Sequence, residues 1–331
     1  MNIYDIAERS GVSIATVSRV LNGSQNVSQK TRDKVLSVIQ QEDYTPNVFA
    51  RGLGLNSMRM IGILCTDISD TFYAKAVSLV EGLLRQNGFD ALLCCTGNNL
   101  EDKKKYLDLL LTKRVDAVIL IGSAFKENVD NSHIENAAKQ VPVIIINGLV
   151  ELPNTYCVLC DERSAVCRNV LLLKKQGHEK ILYLYDTMTY SGCVKISGYK
   201  EGLLKSGIPF QDTLTVKVPK SIPDVAARVT ELLREGPKFS AVMASEDLIA
   251  IGALKALQNA DTNVSMPVIG FNNSILAQCS SPALTTVDNM IDTLCPTAIS
   301  MLTDILEGKN VPQKVVISSK LIERDTFRIN D

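Results

Sequence analysis

At 331 residues, the chain is longer than one ordinary domain, which favours two or three packed units. Hydrophobic residues make up 46% of it and charged residues 21%, as in globular proteins with a substantial core. The formal net charge is −1 and no apolar run approaches the length of a membrane span, which excludes a membrane protein. Residues 1–59 carry seven Lys/Arg against five Asp/Glu, an excess too mild to establish nucleic-acid binding by itself.

Three short helical patterns occupy the first forty residues. Each begins after a side chain that can cap a helix N-terminus, namely Asn2, Ser13 and Ser28, and the first ends near Gly11. The tight segment 10–13 joins the first two into a helix-turn-helix. The apolar positions expected to face inward are Ile3, Ile6 and Ala7, then Val17, Val20 and Leu21, then Val35, Leu36 and Ile39.

The second helix has an outward side whose composition suits a DNA major groove. Small hydroxyls reach phosphates, apolar groups contact thymine methyls, and an arginine can bond guanine through two hydrogen bonds. A small helical bundle with a polar face is the alternative, and the helix-turn-helix pattern alone does not choose between them. The residues expected to contact DNA from this helix are Ser13, Ile14, Ala15, Thr16, Ser18 and Arg19.

The amino-acid sequence of this stretch resembles the headpiece of the lactose-repressor (LacI/GalR) family. The matching residues are Ile3–Ala7, Gly11–Ser13, Ala15–Asn22, Val27-Ser28, Thr31-Arg32 and Val35-Leu36. The resemblance implies that residues 1–43 form a DNA-binding headpiece, with Asn22 among its DNA contacts.

Residues 44–53 resemble the same family's hinge, and we assign residues 44–59 to it. In that family the hinge folds into a short helix on operator DNA and pairs across the dimer axis. The resemblance places Asn47 and Ala50 against DNA and makes Leu53 a wedge in the minor groove. Gly52 and Gly54 each destabilise a helix by about 1 kcal/mol relative to alanine, so we expect the hinge helix to form only on DNA. A plain interdomain linker is the alternative.

From Met60 onward, short apolar runs alternate with amphipathic helical stretches. This alternation predicts two doubly wound, Rossmann-like α/β lobes with a ligand cleft outside the carboxyl ends of their strands. The resemblance continues over this region, whose core the family shares with periplasmic sugar-binding proteins. We therefore expect residues 60–331 to form a two-lobed effector-binding and dimerisation core. The predicted strands are Met60–Thr66, Phe89–Cys95, Asp116–Ile121, Pro142–Asn147, Ile181–Tyr185, Thr213–Val218, Ala241–Ala244 and Pro267–Phe271.

The resemblance also implies a set of effector contacts, several of which depart from the pattern of sugar-responsive members. Asn147 stands where an aspartate is usual, Lys195 where an arginine is common, and Asn272-Asn273 where an aspartate pair is common. Losing carboxylates weakens the case for a simple neutral sugar and leaves room for a phosphorylated, acidic or amide-rich ligand, or a protein corepressor. For Asn272 and Asn273, a turn-forming role is the alternative. The full set is Asp67, Ser69, Asp70, Phe72, Tyr73, Ser123, Asn147, Lys195, Glu246, Asn272 and Asn289.

Catalysis, metal binding and a cofactor are not expected. His178 lies in a Gly-His turn, and Cys193 has no orienting group that would make it a nucleophile. Cys157 and Cys160 lack the second pair or nearby histidine of a zinc site and would point to opposite faces of a strand. Nine scattered cysteines and no signal-like N-terminus indicate buried thiols in the cytoplasm.

Together these features predict a sequence-specific, DNA-binding transcriptional regulator. We expect a repressor whose operator affinity is set allosterically by a small effector (a sugar, a sugar phosphate or another metabolite). A homodimer on a pseudo-palindromic operator is expected, because one headpiece makes a weak contact and no heptad segment follows the last strand-like run. A metabolite-sensing solute-binding module is the alternative, and no membrane partner is expected.

Overall fold

The N-terminal helices form as their caps predict. The computed structural model describes residues 2–21, 24, 26–42, 57–260 and 266–329. The first three helices are α1 (Ile3–Ser10), α2 (Ile14–Leu21) and α3 (Gln29–Gln41). The Asn2 side chain accepts hydrogen bonds from the first-turn N–H groups of α1, and Ser13 and Ser28 do the same for α2 and α3. Gly11 ends α1 in the left-handed region, with φ 61°.

A small core holds the three helices together, and it corrects one sequence prediction. Buried apolar side chains from all three helices meet in it: Ile6, Ala7, Val17, Val20 and Val35. Leu36, which we expected to face inward, is 44% exposed. Consecutive residues on a helix point about 100° apart, so only one of the pair 35 and 36 can face this narrow core.

A six-stranded parallel sheet forms the first lobe. Its strand order is β11-β5-β4-β3-β1-β2, and every pairing is parallel. The strands are β1 (Met60–Cys65), β2 (Asp90–Cys95), β3 (Ala117–Ile121), β4 (Val143–Ile146), β5 (Thr155–Cys160) and β11 (Lys314–Ile317). The helices packed against it are α4 (Thr71–Gln86), α5 (Leu100–Thr112), α6 (Ser132–Ala138) and α12 (Ile291–Leu306).

The second lobe repeats this plan. Its sheet has the order β12-β10-β9-β8-β6-β7, with only the β10–β12 pair antiparallel among the described strands. The strands are β6 (Ile181–Tyr185), β7 (Thr215–Lys217), β8 (Ala241–Ala244), β9 (Val268–Phe271), β10 (Thr285–Asp288) and β12 (Lys320–Ile322). The helices are α7 (Glu162–Lys175), α8 (Tyr190–Lys205), α9 (Ile222–Glu235), α10 (Asp247–Asn259) and α11 (Ile275–Cys279).

The predicted doubly wound lobes are confirmed, with four strands added to the eight predicted. These are β5, β10, β11 and β12, and each of them adjoins a point where the chain crosses between lobes, at residues 160–162, 288–291 and 317–320. Strands β11 and β12 are short and partly exposed, so their apolar signal is weak. The three crossings keep the carboxyl ends of both sheets facing one another.

Apolar side chains fill both faces of each sheet. Ile61 and Ile63 of β1 pack toward one helical layer and Leu64 toward the other, so the strand is buried on both sides. Cys157 and Cys160 divide between these same two layers, as predicted for residues three apart on a strand. Within the described residues, none of the helices has the length and apolar character needed to cross a lipid bilayer.

Candidate functional site

The outer side of α2 carries the side chains expected to contact DNA. Ser13, Ala15 and Arg19 are exposed, and Ile14 is 40% exposed, while Val17 and Val20 turn inward. Thr16 and Ser18 are half-buried. The hydroxyl oxygens of Ser13 and Thr16 lie 2.9 Å apart and share a hydrogen bond, which fixes the start of this surface. The remaining predicted DNA contacts, Asn22, Asn47, Ala50 and Leu53, lie outside the described residues.

A cavity of about 360 Å³ lies between the two lobes, where the carboxyl ends of their parallel strands meet. The first lobe lines it with the segments that follow β1 to β4, and the second lobe with those that follow β6 to β9. The structure brings ten of the eleven predicted effector contacts together there: Asp67, Ser69, Asp70, Phe72, Tyr73, Ser123, Asn147, Lys195, Glu246 and Asn272.

Two aspartates shape the loop between β1 and α4. Oδ1 of Asp67 accepts hydrogen bonds from the Ser69 backbone N–H at 2.9 Å and the Ser69 hydroxyl at 2.8 Å, and these bonds lower the pKa of Asp67. Oδ1 of Asp70 accepts from the N–H groups of Phe72 and Tyr73, and so caps α4. These carboxylates are therefore oriented before any ligand arrives.

The aromatic pair at the start of α4 forms one wall of the cavity. Phe72 and Tyr73 pack edge to face, with ring centroids 5.4 Å apart. Burial raises the pKa of Tyr73 to about 12, so its hydroxyl stays protonated. Gly122 has φ 99°, and a Cβ atom there would lie 2.6 Å from the Tyr73 ring. Only glycine allows the loop after β3 to approach the tyrosine this closely.

Lys195 lines the cavity, but its charge is already engaged by the protein. The side chain is buried, and its ammonium donates to the Ser245 carbonyl at 3.0 Å. It lies 3.5 Å from the buried Glu162 carboxylate and 4.0 Å from the centroid of the Phe271 ring. Lys195 thus ties three elements of the second lobe together and leaves little charge for a ligand.

Asn147 has a structural reason to be an amide. Its Nδ2 donates to Oε1 of Glu162 at 3.2 Å, and its Oδ1 accepts from the Cys160 N–H at 3.4 Å. An aspartate at this position would place a second negative charge beside the buried Glu162 and could not donate to it. The residue also has φ 57°, a conformation that asparagine tolerates better than most residues.

Of the three asparagines that follow β9 and β10, one lines the cavity and the other two hold the structure around it. Asn272 lines the cavity with φ 104°, and its Oδ1 accepts from Nδ2 of Asn289 at 3.0 Å. Asn289 is buried behind it and is not among the residues that line the cavity, so its role as an effector contact stays a prediction. Asn273 has φ 47° and is held by Asp288 and Arg324, so it forms the turn.

Glu246, a predicted effector contact, and its neighbour Asp247 have different roles. Glu246 faces the cavity, and burial raises the pKa of its carboxyl group, although the nearby Lys220 opposes this shift. Asp247 accepts 2.7 Å hydrogen bonds from the backbone N–H and the hydroxyl of Ser274, and a 2.5 Å bond from the Thr286 hydroxyl. Asp247 therefore fixes the turn that presents Asn272.

Sequence reasoning missed several polar residues of the cavity. Each lies within three residues of the end of a strand: Asn98 after β2, Asp186 after β6, Lys220 after β7 and Ser245 after β8. Ligands bind beyond the carboxyl ends of parallel strands, and this rule would have identified these residues without any family pattern.

Direct contacts join the lobes across the cavity. The Ser123 hydroxyl of the first lobe donates to the Thr189 hydroxyl of the second at 3.0 Å. Lys220 of the second lobe forms ion pairs with Asp70 of the first and with Glu246 of its own lobe. The cleft is therefore narrow, with its two walls bonded to one another.

The described residues do not form a metal centre. No group of three or more histidine, cysteine, aspartate or glutamate side chains could hold a metal ion there. The Cys193 thiol donates to the Met188 carbonyl, and His178 lies against Ser240, where burial lowers its pKa.

Comparison with known proteins identifies the family. Residues 2–47 match the family model described as bacterial regulatory proteins, lacI family, and residues 58–323 match the one described as periplasmic binding proteins and sugar binding domain of LacI family. The chain belongs to the LacI family. It is a DNA-binding transcriptional regulator with an effector-binding domain, and not an enzyme.

Relatives and solved structures agree with this family assignment. The chain is 48% identical over 330 residues to an HTH-type transcriptional regulator of Lachnoclostridium phytofermentans, covering 98% of this chain and 99% of that protein. It is 31% identical to catabolite control protein A of Priestia megaterium, over 99% and 98% of the two chains. The fold matches the lac repressor dimer bound to operator and the anti-inducer ONPF, with TM-score 0.87, 24% identity and 98% of each chain covered.

Proposed function

We propose that this LacI-family chain is a homodimeric repressor of a pseudo-palindromic operator, controlled by a small neutral polyhydroxyl effector. Residues 1–43 act as the headpiece, 44–59 as the hinge, and 60–331 as the effector and dimerisation core. The described helices of the headpiece end at Gln41 and the first core strand begins at Met60, which supports these boundaries. The full-length likeness to the lac repressor dimer on its operator supports the assembly.

The observation that carries the proposal is the composition of the interlobe cavity. Its volume falls at the lower end of the ~300–1,000 Å³ typical of small-molecule sites. Its lining contains mainly carboxylates, hydroxyls and amides, together with the aromatic pair Phe72 and Tyr73. Acceptors and amides of this kind bond ligand hydroxyl groups, and an aromatic wall suits the apolar face of a sugar ring.

The charges of the cavity favour a neutral ligand over a phosphorylated or acidic one. Among the described lining residues, five carboxylates stand against two lysines. Both lysines are committed: Lys195 to Glu162, and Lys220 to Asp70 and Glu246. An anionic ligand would meet net negative charge and find no uncommitted lysine in this lining. The amides at 147 and 272 therefore do not make the site a phosphate site.

The control mechanism follows from linkage. A ligand that contacts both lobes favours one relative arrangement of them, and the headpieces of a dimer reach two half-sites only at suitable spacing. If effector and operator prefer different arrangements, each lowers the affinity of the other by the same factor. The nine free cysteines suit a reducing compartment, so we also place the protein in the cytoplasm.

Binding to paired ligands tests the effector class. We expect a neutral monosaccharide or disaccharide to raise the Tm of the purified full chain, because ligand that binds only the folded state stabilises it by ~2.7 kcal/mol at 100 times Kd. The matched control for each sugar is its phosphate ester and its uronic acid, tested by the same thermal scan and by calorimetric titration. Tighter binding of an anionic member than of its neutral counterpart would contradict the proposal.

A further inference from the structure

The ammonium group of Lys220 lies in the cavity between the lobes, in the position that a bound ligand would take. It lies between β7 and α9 on the second lobe, and its ammonium nitrogen reaches across the cleft. There it contacts Oδ2 of Asp70 on the first lobe and Oε2 of Glu246 on the second, the latter at 2.6 Å. A single primary ammonium group is thus bound by carboxylates from both lobes.

The two carboxylates are built to receive a cation. Their side chains are only 11% and 21% exposed, for Asp70 and Glu246 respectively. Oδ1 of Asp70 is used by the cap of α4, which leaves Oδ2 directed to the ammonium group. Without a cation between them, these acids would repel one another across a poorly solvated cleft.

The other lysine of the cavity does not connect the lobes in this way. Lys195 and Glu162 both belong to the second lobe, and Lys75 pairs with Asp292 within the first. The Lys220–Asp70 pair therefore differs from these two pairs, since breaking it removes a charge contact between the two walls of the cleft.

We propose that Asp70 and Glu246 form a primary-ammonium subsite shared by the two lobes, which Lys220 fills and thereby holds the cleft closed when no ligand is bound. With Lys220 in place, the subsite is unavailable to ligand amines, and the cleft selects neutral ligands. The selection of neutral ligands rests on the proposed function, whereas the closure of the cleft does not.

Chemical rescue of a lysine-deleted variant tests the subsite. In full-length Lys220→Ala, we expect amide hydrogen exchange to become severalfold faster in residues 67–76 and 245–252, the cleft segments of the two lobes. Added n-propylammonium chloride should restore slow exchange, because its ammonium group replaces the missing one. Tetramethylammonium chloride at equal ionic strength, which has no N–H donors, and neutral n-propanol should not.

Matched variants separate closure from general stability. Lys205→Ala removes an exposed ion pair with Glu201 within the second lobe, outside both segments, and should leave exchange in the two cleft segments unchanged. Lys220→Arg should keep the wild-type pattern, and Glu246→Gln, which spares the Asp70 contact, should leave residues 67–76 more protected than Lys220→Ala does. Unchanged exchange in Lys220→Ala would overturn the closure. Faster exchange that n-propylammonium does not slow would overturn the ammonium subsite, and neither readout involves DNA or effector.

Discussion

Arg19→Ala is expected to weaken binding to the cognate operator by ~1–3 kcal/mol, or about five- to 150-fold in Kd. Arg19 is exposed in the last turn of α2, on the side opposite the buried Val17 and Val20. An arginine presented there can make two hydrogen bonds to one guanine, and alanine can make neither. Binding should be measured by fluorescence anisotropy at fixed salt, on the operator recovered by selection.

The same titration on a duplex altered at one base pair shows whether Arg19 reads sequence. The altered duplex changes the base pair that Arg19 contacts. The wild type should bind it more weakly than the cognate operator, whereas Arg19→Ala should bind the two duplexes with equal affinity. Lys30→Ala is the matched control, because Lys30 is an exposed cation in the first turn of α3. Its loss should act on all duplexes equally. Unchanged operator affinity in Arg19→Ala would remove this residue from base recognition.

Lys195→Met is expected to lower the free energy of unfolding by ~3–5 kcal/mol, the usual loss when one partner of a buried ion pair is removed. The Glu162 carboxylate, which is 3% exposed, would lose the charge 3.5 Å from it. The Ser245 carbonyl would lose its donor and the Phe271 ring its cation. Urea unfolding followed by circular dichroism measures the change.

A second substitution distinguishes the buried charge from general damage. Lys195→Met combined with Glu162→Gln should recover much of the lost stability, because the isolated negative charge is gone. Lys205→Met, which breaks an exposed pair with Glu201 on the same helix α8, is the control and should have little effect. A loss in Lys195→Met no larger than that of the control would show that Lys195 is not a scaffold residue. If the loss is larger than that of the control, a Lys195 variant that no longer responds to effector does so because the buried contacts of Lys195 are lost.

The elements that sequence predicts well are those fixed by local chemistry. Asn2, Ser13 and Ser28 cap their helices because a short polar side chain satisfies the nearest free N–H groups wherever it occurs. Buried parallel strands such as β3 and β4 are continuous apolar runs, so their pattern is unambiguous. The order of strands within each sheet depends on where the chain crosses between lobes, which no local pattern records.

The candidate site shows the same division. The loop from Asp67 to Tyr73 is predictable, because one strand leads directly into one helix there. The role of Lys220 depends on an acid 150 residues away in the other lobe, which only the folded chain reveals. Asn289 was assigned to the effector by resemblance, and in the folded chain its side chain donates to Asn272, a contact that no local pattern records. Leu36 faces outward because the core of three short helices is too small for it.

The most direct test of the account is selection of bound sequences from a random duplex pool by the purified full chain at fixed salt, with and without a metabolite extract. The account predicts enrichment of a pseudo-palindrome with a flexible pyrimidine–purine step at its centre, where two hinges would bend the duplex. It also predicts that the extract changes the yield and leaves the sequence the same. Enrichment of a single half-site, or of no sequence under either condition, would contradict a dimeric repressor controlled through its cleft.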